Sequence, residues 1–329
     1  MRSSGIGGQA VIEGIMMRNR SKYSIGVRKP NKEIDVKVED YQSFIKNEKL
    51  TKTPFVRGVF NFIDSMVVGM KTLTYSASFY EEEEEQKPQT EEEKLKAEKK
   101  EKFLMGGTVA LSICMAVAIF MLLPYFIASF FRSFITAPWM IAVLEGVLRL
   151  VIFFVYILLI SKMEDIQRVF MYHGAEHKCI NCIEHELELT VENVRKSSRQ
   201  HKRCGTSFLL IVMVVSIIFF LFIRVESPIL RVAVRLLLLP VIAGVSYEFI
   251  RLAGRSENGF VKLLSKPGMA LQKLTTREPD DDMIEVAIAA VEAVFDWKKF
   301  LDGAAPEDCV VGCEPGEHAE SCDSSICGM

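Results

Sequence analysis

The residues best placed to do chemistry lie in one stretch, FMYHGAEHKCINCIEHE, residues 170–186. His173, Glu176 and His177 form an H-x-x-E-H arrangement. On a helix, His173 and His177 are four apart and face the same way, so two imidazoles can hold one metal ion. Glu176 lies close to that face and could take a proton from a bound water, as in the inverted zincins. The motif leaves a third protein ligand to be found elsewhere.

A second constellation overlaps the first. Cys179 and Cys182 form C-x-x-C, and His201 and Cys204 form H-x-x-C after eighteen intervening residues. That spacing suits a closed structural zinc site built from two knuckles. The two arrangements compete. In one, Cys179, Cys182, His201 and Cys204 shut the site. In the other, His173 and His177 take a third ligand from His201, Cys204 or Cys182, and a position stays open for water. Soft thiolates with imidazoles favour Zn2+ over magnesium or calcium.

The elements that must position these residues belong to a membrane protein. Half of the 329 residues are hydrophobic, and the mean hydropathy is +0.21. Soluble domains rarely average out apolar. The net charge of -2 comes with no dominant basic stripe, so no nucleic-acid partner is expected. Nothing near Met1 reads as a signal peptide, and insertion through internal helices is expected. Four apolar stretches, Phe103–Phe131, Pro138–Ser161, Ser207–Ile223 and Pro228–Leu252, are long enough to span a bilayer. The expected fold class is therefore mainly α: a polytopic helical membrane protein with about four transmembrane helices.

The metal loop, residues 162–206, separates the second and third spans and carries eight Lys or Arg residues. The neighbouring short linkers carry few. The positive-inside rule then puts this loop and both termini in the cytoplasm, with the lipid bilayer as first partner and other membrane proteins as further ones.

Within residues 1–79, a glycine-rich start (Gly5, Gly7, Gly8, Gly14) lacks the context of a nucleotide fingerprint and reads as close backbone approach to another segment. Period-two alternation on both sides of Pro30-Asn31 predicts a β-hairpin in this small N-terminal region. Phe55 to Phe79 reads as an amphipathic helix lying on the membrane or against other helices. Residues 80–102 are a charged low-complexity linker. The transmembrane domain covers 103–252. A C-terminal segment, 253–301, ends in a short helix whose N-terminus is marked by Pro279 and three aspartates. Residues 302–329 form a tail containing Cys309, Cys313, His318, Cys322 and Cys327, expected to be disordered. Inside the spans, Glu145 and Arg149 are four apart and can pair.

These motifs together resemble a known group. GGQAVIEG and MMR near the start, Arg57–Gly58, YHGAEHK, LTVENVR, RCGTSF, Ser246–Glu248 and LTTREPDDDMIEVAIAA are similar to the bacterial YqhQ-like family, a domain-of-unknown-function family, over residues 5–296. The resemblance implies an integral membrane protein and a metal-dependent enzyme of unnamed substrate. His173, Glu176, His177, Cys182, His201 and Cys204 fall in motifs shared with it. Cys179 stands where the family commonly has another residue, and Lys202 where proline is usual. The first departure counts against the closed four-ligand site. The expectation is a bacterial inner-membrane zinc enzyme of hydrolase type, with Glu176 catalytic and the metal held by ligands drawn from His173, His177, His201, Cys204 and Cys182. A non-enzymatic scaffold or accessory subunit with a structural metal is the alternative, and a transporter centred on Glu145 and Arg149 the third.

Overall fold

The computed structural model describes residues 2–43, 53–80, 91–135, 137–223, 225, 227–255 and 258–311. Residues 81–90 of the charged linker and 312–329 of the cysteine-rich tail, with Cys313, His318, Cys322 and Cys327, lie outside the described residues. The chain forms two compact units: Met1–Tyr80 with Leu158–Ser216 and Leu237–Met329, and Glu81–Ile157 with Ile217–Leu236.

The first unit is built on an antiparallel meander of four strands, β1 Gly7–Val11, β2 Gly14–Asn19, β3 Lys22–Arg28 and β4 Ile34–Asp40. The expected hairpin is β3–β4, with Arg28 opposite Ile34 across the Pro30-Asn31 turn. The other two strands come from the glycine-rich start. Their turns place Glu13 and Arg20 at positive φ, where Asn or Gly would ordinarily signal a tight hairpin.

Alternation along the strands gives the sheet two buried faces. On one, Met16, Tyr23, Ile25 and Val27 pack against Val68, Tyr75 and Phe79, residues of or just after helix α1, Val56–Ala77. On the other, Ile15 and Met17 meet α5, Glu164–Glu184, and α10, Asp281–Glu292. The predicted start of α10 is borne out, with Asp280 at its N-cap. The same unit includes the short helix α6, Val191–Lys196, and α9, Gly259–Thr275.

Four helical stretches are long and apolar enough to cross a membrane among the described residues: Gly106–Ser133, Trp139–Ile160, Gly205–Phe222 and Leu230–Ala253. They match the four expected spans, and the chain is an integral membrane protein. The first belongs to α2, Glu91–Val117, which begins inside the charged linker and continues through a π-helical turn into α3, Leu123–Phe130. The others are α4 (Pro138–Ile160), α7 (Gly205–Phe222) and α8 (Pro228–Arg255).

The second unit holds a buried ionic cluster. Glu145 accepts from Arg149 at 3.1 Å, as expected from their spacing, and also from both terminal nitrogens of Arg235. Arg149 Nε donates to the Phe120 carbonyl at 2.9 Å. Pro124, four residues on, has no N–H to offer that carbonyl, so the guanidinium takes the place of a helical bond. Both guanidiniums lie against the Phe220 ring. A carboxylate saturated by two guanidiniums reads as a clamp between helices.

Candidate metal centre

The α5 helix carries the H-x-x-E-H motif as expected, and its register decides which residues can meet. At 100° per residue, His173, Glu176, His177, Ile180 and Glu184 share one side, while Cys182 lies half a turn away from His173. Cys204 reaches the first side from the N-terminal approach to α7. One donor atom each from His173, His177 and Cys204 lie within 4.8 Å of one another. The rings of His173 and His177 are 4.4 Å apart, and His173 Nε2 is 3.3 Å from Cys204 Sγ.

Backbone carbonyls fix both imidazoles. His173 Nδ1–H donates to Thr275 O at 2.9 Å, and His177 Nδ1–H donates to Arg199 O at 2.7 Å. A carbonyl can only accept, so each ring carries its proton on Nδ1 and turns Nε2 toward the cluster, where it becomes a lone-pair donor once any second proton has left. Gly174 makes the first of these bonds possible. A Cβ at that position would overlap the carbonyl oxygen of Arg277, whose N–H bonds Phe170 O at 2.8 Å. The Arg199 carbonyl is steadied from both sides: Lys178 Nζ caps Arg195 O and Ser197 O, and Asn181 Nδ2 donates to Ser198 O and Gln200 O.

The charges of the cluster are coupled. Burial opposes charge on His173, but the Cys204 sulfur beside it outweighs burial and raises the imidazole to about 9. Burial likewise pushes the Cys204 thiol up, and the two imidazoles overcome it, leaving the thiol well below its ordinary value. Such a thiolate is the form that binds metal.

Glu176 is 5% exposed, and its Oε2 has no hydrogen-bond partner among the described residues. Burial raises its carboxyl, partly offset by the neighbouring His177 and His173 and by an N–H bond from Gly8. Gly8 lies on β1, and a Cβ there would meet Met16 O and crowd the Glu176 carboxyl. The expected close approach of the glycine-rich start is therefore to the motif helix. Ile6, Gly7, Gly8, Glu176, the two histidines, Arg203 and Cys204 surround a cavity of about 30 Å³, room for a water-sized ligand or two.

Two candidate ligands stand apart from this cluster. His201 uses both ring nitrogens elsewhere: Nδ1 accepts from Arg203 N–H at 3.4 Å, and Nε2–H donates to Glu184 Oε2 at 3.3 Å. Burial, assisted by Arg203, lowers its affinity for a proton, so it sits as a neutral wall of the cavity. Burial opposes charge on Glu184, yet His201, Arg203 and the Ser4 N–H together hold it down to about 2. Cys182 faces the apolar core with Cys179, and its Sγ lies 3.3 Å from Glu188 O. The four residues of the closed zinc knuckle are not brought together: Cys204 lies beside His173 and His177, and Cys179 and Cys182 lie in the apolar core. Small thiols behave there as core hydrophobes.

Sequence reasoning did not reach the outer partners Thr275, Arg199, Gly8 and Glu184. The motifs YHGAEHK and LTTRE contain two of the contacts, but only the fold joins them across about a hundred residues of chain.

A protein-family profile described as "Protein of unknown function (DUF1385)" matches residues 53–297. "Uncharacterized protein YqhQ" of Bacillus subtilis (strain 168) is 36% identical over 284 residues, covering 86% of this chain and 89% of that protein. No solved structure matches significantly. By the profile and by this relative, the chain belongs to the DUF1385 family, together with YqhQ.

Proposed function

We propose that this chain is a zinc-dependent enzyme of the bacterial plasma membrane, of hydrolase type, whose centre is His173, His177 and Cys204 with Glu176 as general base. The observation that carries this reading is the pairing, in one cavity, of three convergent donors with a buried carboxylate oxygen that has no hydrogen-bond partner among the described residues. The donor set suits Zn2+: two neutral imidazoles with free Nε2 atoms and one thiolate. A zinc ion held there would supply a Lewis acid. The chain's own residues supply the rest. Thr275 and Arg199 aim the imidazoles, and Glu176 Oε2 accepts a proton from a water in the cavity. Burial raises its proton affinity, the direction a general base requires. Loop charge supports a cytoplasmic site with both termini on the same side. In that orientation an impermeant thiol reagent added to intact cells labels Phe134→Cys and not Lys196→Cys. The reverse pattern would place the site outside.

One observation favours a second reading. A cavity of about 30 Å³ is small for a substrate and suits a structural metal in a membrane scaffold or accessory subunit. Two variants separate the readings. Glu176→Gln keeps size and removes the base, so an enzyme loses roughly 10²–10⁴-fold in rate and fails to complement a deletion strain while keeping its metal. A scaffold carrying Glu176→Gln complements like the unchanged chain and fails only with Cys204→Ala. Full complementation by Glu176→Gln would overturn the catalytic reading.

A further inference from the structure

Helix α1 is amphipathic in the reverse sense for a helix packed on a water-soluble domain. Its fully buried residues are glycine or polar, Gly58, Asn61, Asp64, Thr72 and Ser76, beside Val68 and Tyr75, which pack on the sheet. Each polar member has a partner inside the first unit. Asn61 Nδ2 donates to Tyr247 Oη at 2.7 Å, and Tyr41 Oη donates to Asp64 at 2.7 Å. Gln9 Nε2 donates to Thr72 Oγ1 at 3.0 Å, and the Ile12 N–H donates to Ser76 Oγ at 3.1 Å. The opposite face is apolar and exposed. Ile63, Met66, Val67, Met70 and Leu73 form a stripe along it, with Met66 60% and Val67 54% exposed. A helix in water buries its apolar side. One that satisfies its polar side internally and turns five large apolar residues outward is built for an apolar medium.

The place of α1 against α8 says which medium. Gly58 packs on Tyr247 and Gly244, and a Cβ at Gly244 would overlap the Phe55 carbonyl. Arg57 pairs with Glu248 through Nε at 2.7 Å and Nη2 at 2.6 Å, fixing the same end. The candidate span of α8 runs to Ala253. The contact residues thus lie five to nine positions inside it, roughly 8–14 Å along the helix. Phe62 meets the Phe208 ring of α7, near the start of that span, at 5.9 Å. The start of α1 is therefore level with residues of two candidate spans, and its exposed apolar stripe begins beside them.

We propose that α1 is an in-plane membrane helix, with Ile63, Met66, Val67, Met70 and Leu73 immersed at the boundary between headgroups and acyl chains of a phospholipid leaflet. The helix does not cross the bilayer; its polar face holds the four-stranded sheet against the membrane surface. This assignment is independent of any chemistry at the metal centre.

The test uses the full chain in phosphatidylethanolamine–phosphatidylglycerol vesicles. Photoreactive p-benzoylphenylalanine replaces Met66, Val67 or Met70 in turn, Ile218 inside the α7 span as a positive control, or exposed Lys298 as a negative one. Irradiation should add the mass of one phospholipid at the three α1 positions and at 218, and none at 298. Adducts at 218 without adducts on α1 would overturn the proposal. So would cross-links from α1 to a second copy of the chain or to another protein. Should the substituted chains fail to fold, hydroxyl-radical footprinting of the unmodified chain gives the same decision. Met66 and Met70 should be protected in vesicles while Trp297 is oxidised. Oxidation of both methionines at the rate of Trp297 would overturn it.

Discussion

His173 Nε2 lies 3.3 Å from Cys204 Sγ, thirty-one residues further along the chain, and each holds the other in its charged form. The pair joins α5 to the approach of α7, so one contact couples the motif helix to the entry of a membrane-spanning segment. An imidazolium beside a thiolate is also what a metal ion would displace, taking the proton's place between nitrogen and sulfur.

Cys204→Ser keeps the size of the side chain and removes the thiolate. In metal-free protein the His173 proton should then leave well below about 9, because burial is no longer opposed by the sulfur. Ring-proton NMR across a pH series reads this directly. Metal affinity should fall by more than the roughly 10–100-fold that loss of an outer hydrogen-bond partner costs. An unmoved His173 titration would show that the two are not coupled.

Gly174→Ala tests the approach of α5 to the Thr275–Arg277 segment. The new methyl overlaps Arg277 O, so that strand of chain must shift and loosen the bond that aims His173. Overpacking of this kind costs about 1–3 kcal/mol. Unfolding in detergent should show that loss, and metal titration should show a fall of roughly 10–100-fold. A variant with unchanged metal affinity would mean that Thr275 does not orient the ring.

Cys182→Ala separates core cysteine from ligand cysteine. Cys182 faces Ile183, Leu189 and the α10 residues of the core, so its loss should cost stability by about 1 kcal/mol and leave metal content unchanged. Loss of metal on this change, measured by elemental analysis, would restore the zinc-knuckle arrangement.

Much of this was legible in the sequence, for physical reasons. Spans are announced by long apolar runs, the β3–β4 hairpin by strict alternation, and the α5 pair by its four-residue spacing. The first hairpin was not legible because Ile12-Glu13 and Arg20-Ser21 turn the chain without the usual Asn or Gly. The C-x-x-C spacing of Cys182 carries no sign of the side of the helix on which it falls. On a continuous helix, nine residues from His173 point the opposite way. The partners of His201, Glu184 and Arg203, become visible only when the chain is folded. The reversed face of α1 was hidden for a related reason: its polar residues look solvent-bound until Tyr247, Tyr41 and Gln9 are brought to them.

Glu184 gives the fold an acid limit. Its carboxyl titrates near 2 when folded against an ordinary 4.5, so the stabilisation is complete above 4.5 and is lost as pH falls toward 2. The difference amounts to about 3 kcal/mol. Unfolding measured at a series of pH values should show this slope, and Glu184→Gln should flatten it. An equal slope in the variant would assign the acid sensitivity to other carboxylates.

The most direct test of the metal centre is the zinc content of the purified full chain, measured beside that of the His173→Ala, His177→Ala double variant. The proposed centre predicts about one zinc per chain in the first and a loss of nearly all of it in the second, with both proteins folded. A chain without zinc, or a double variant that keeps its zinc undiminished, would contradict it.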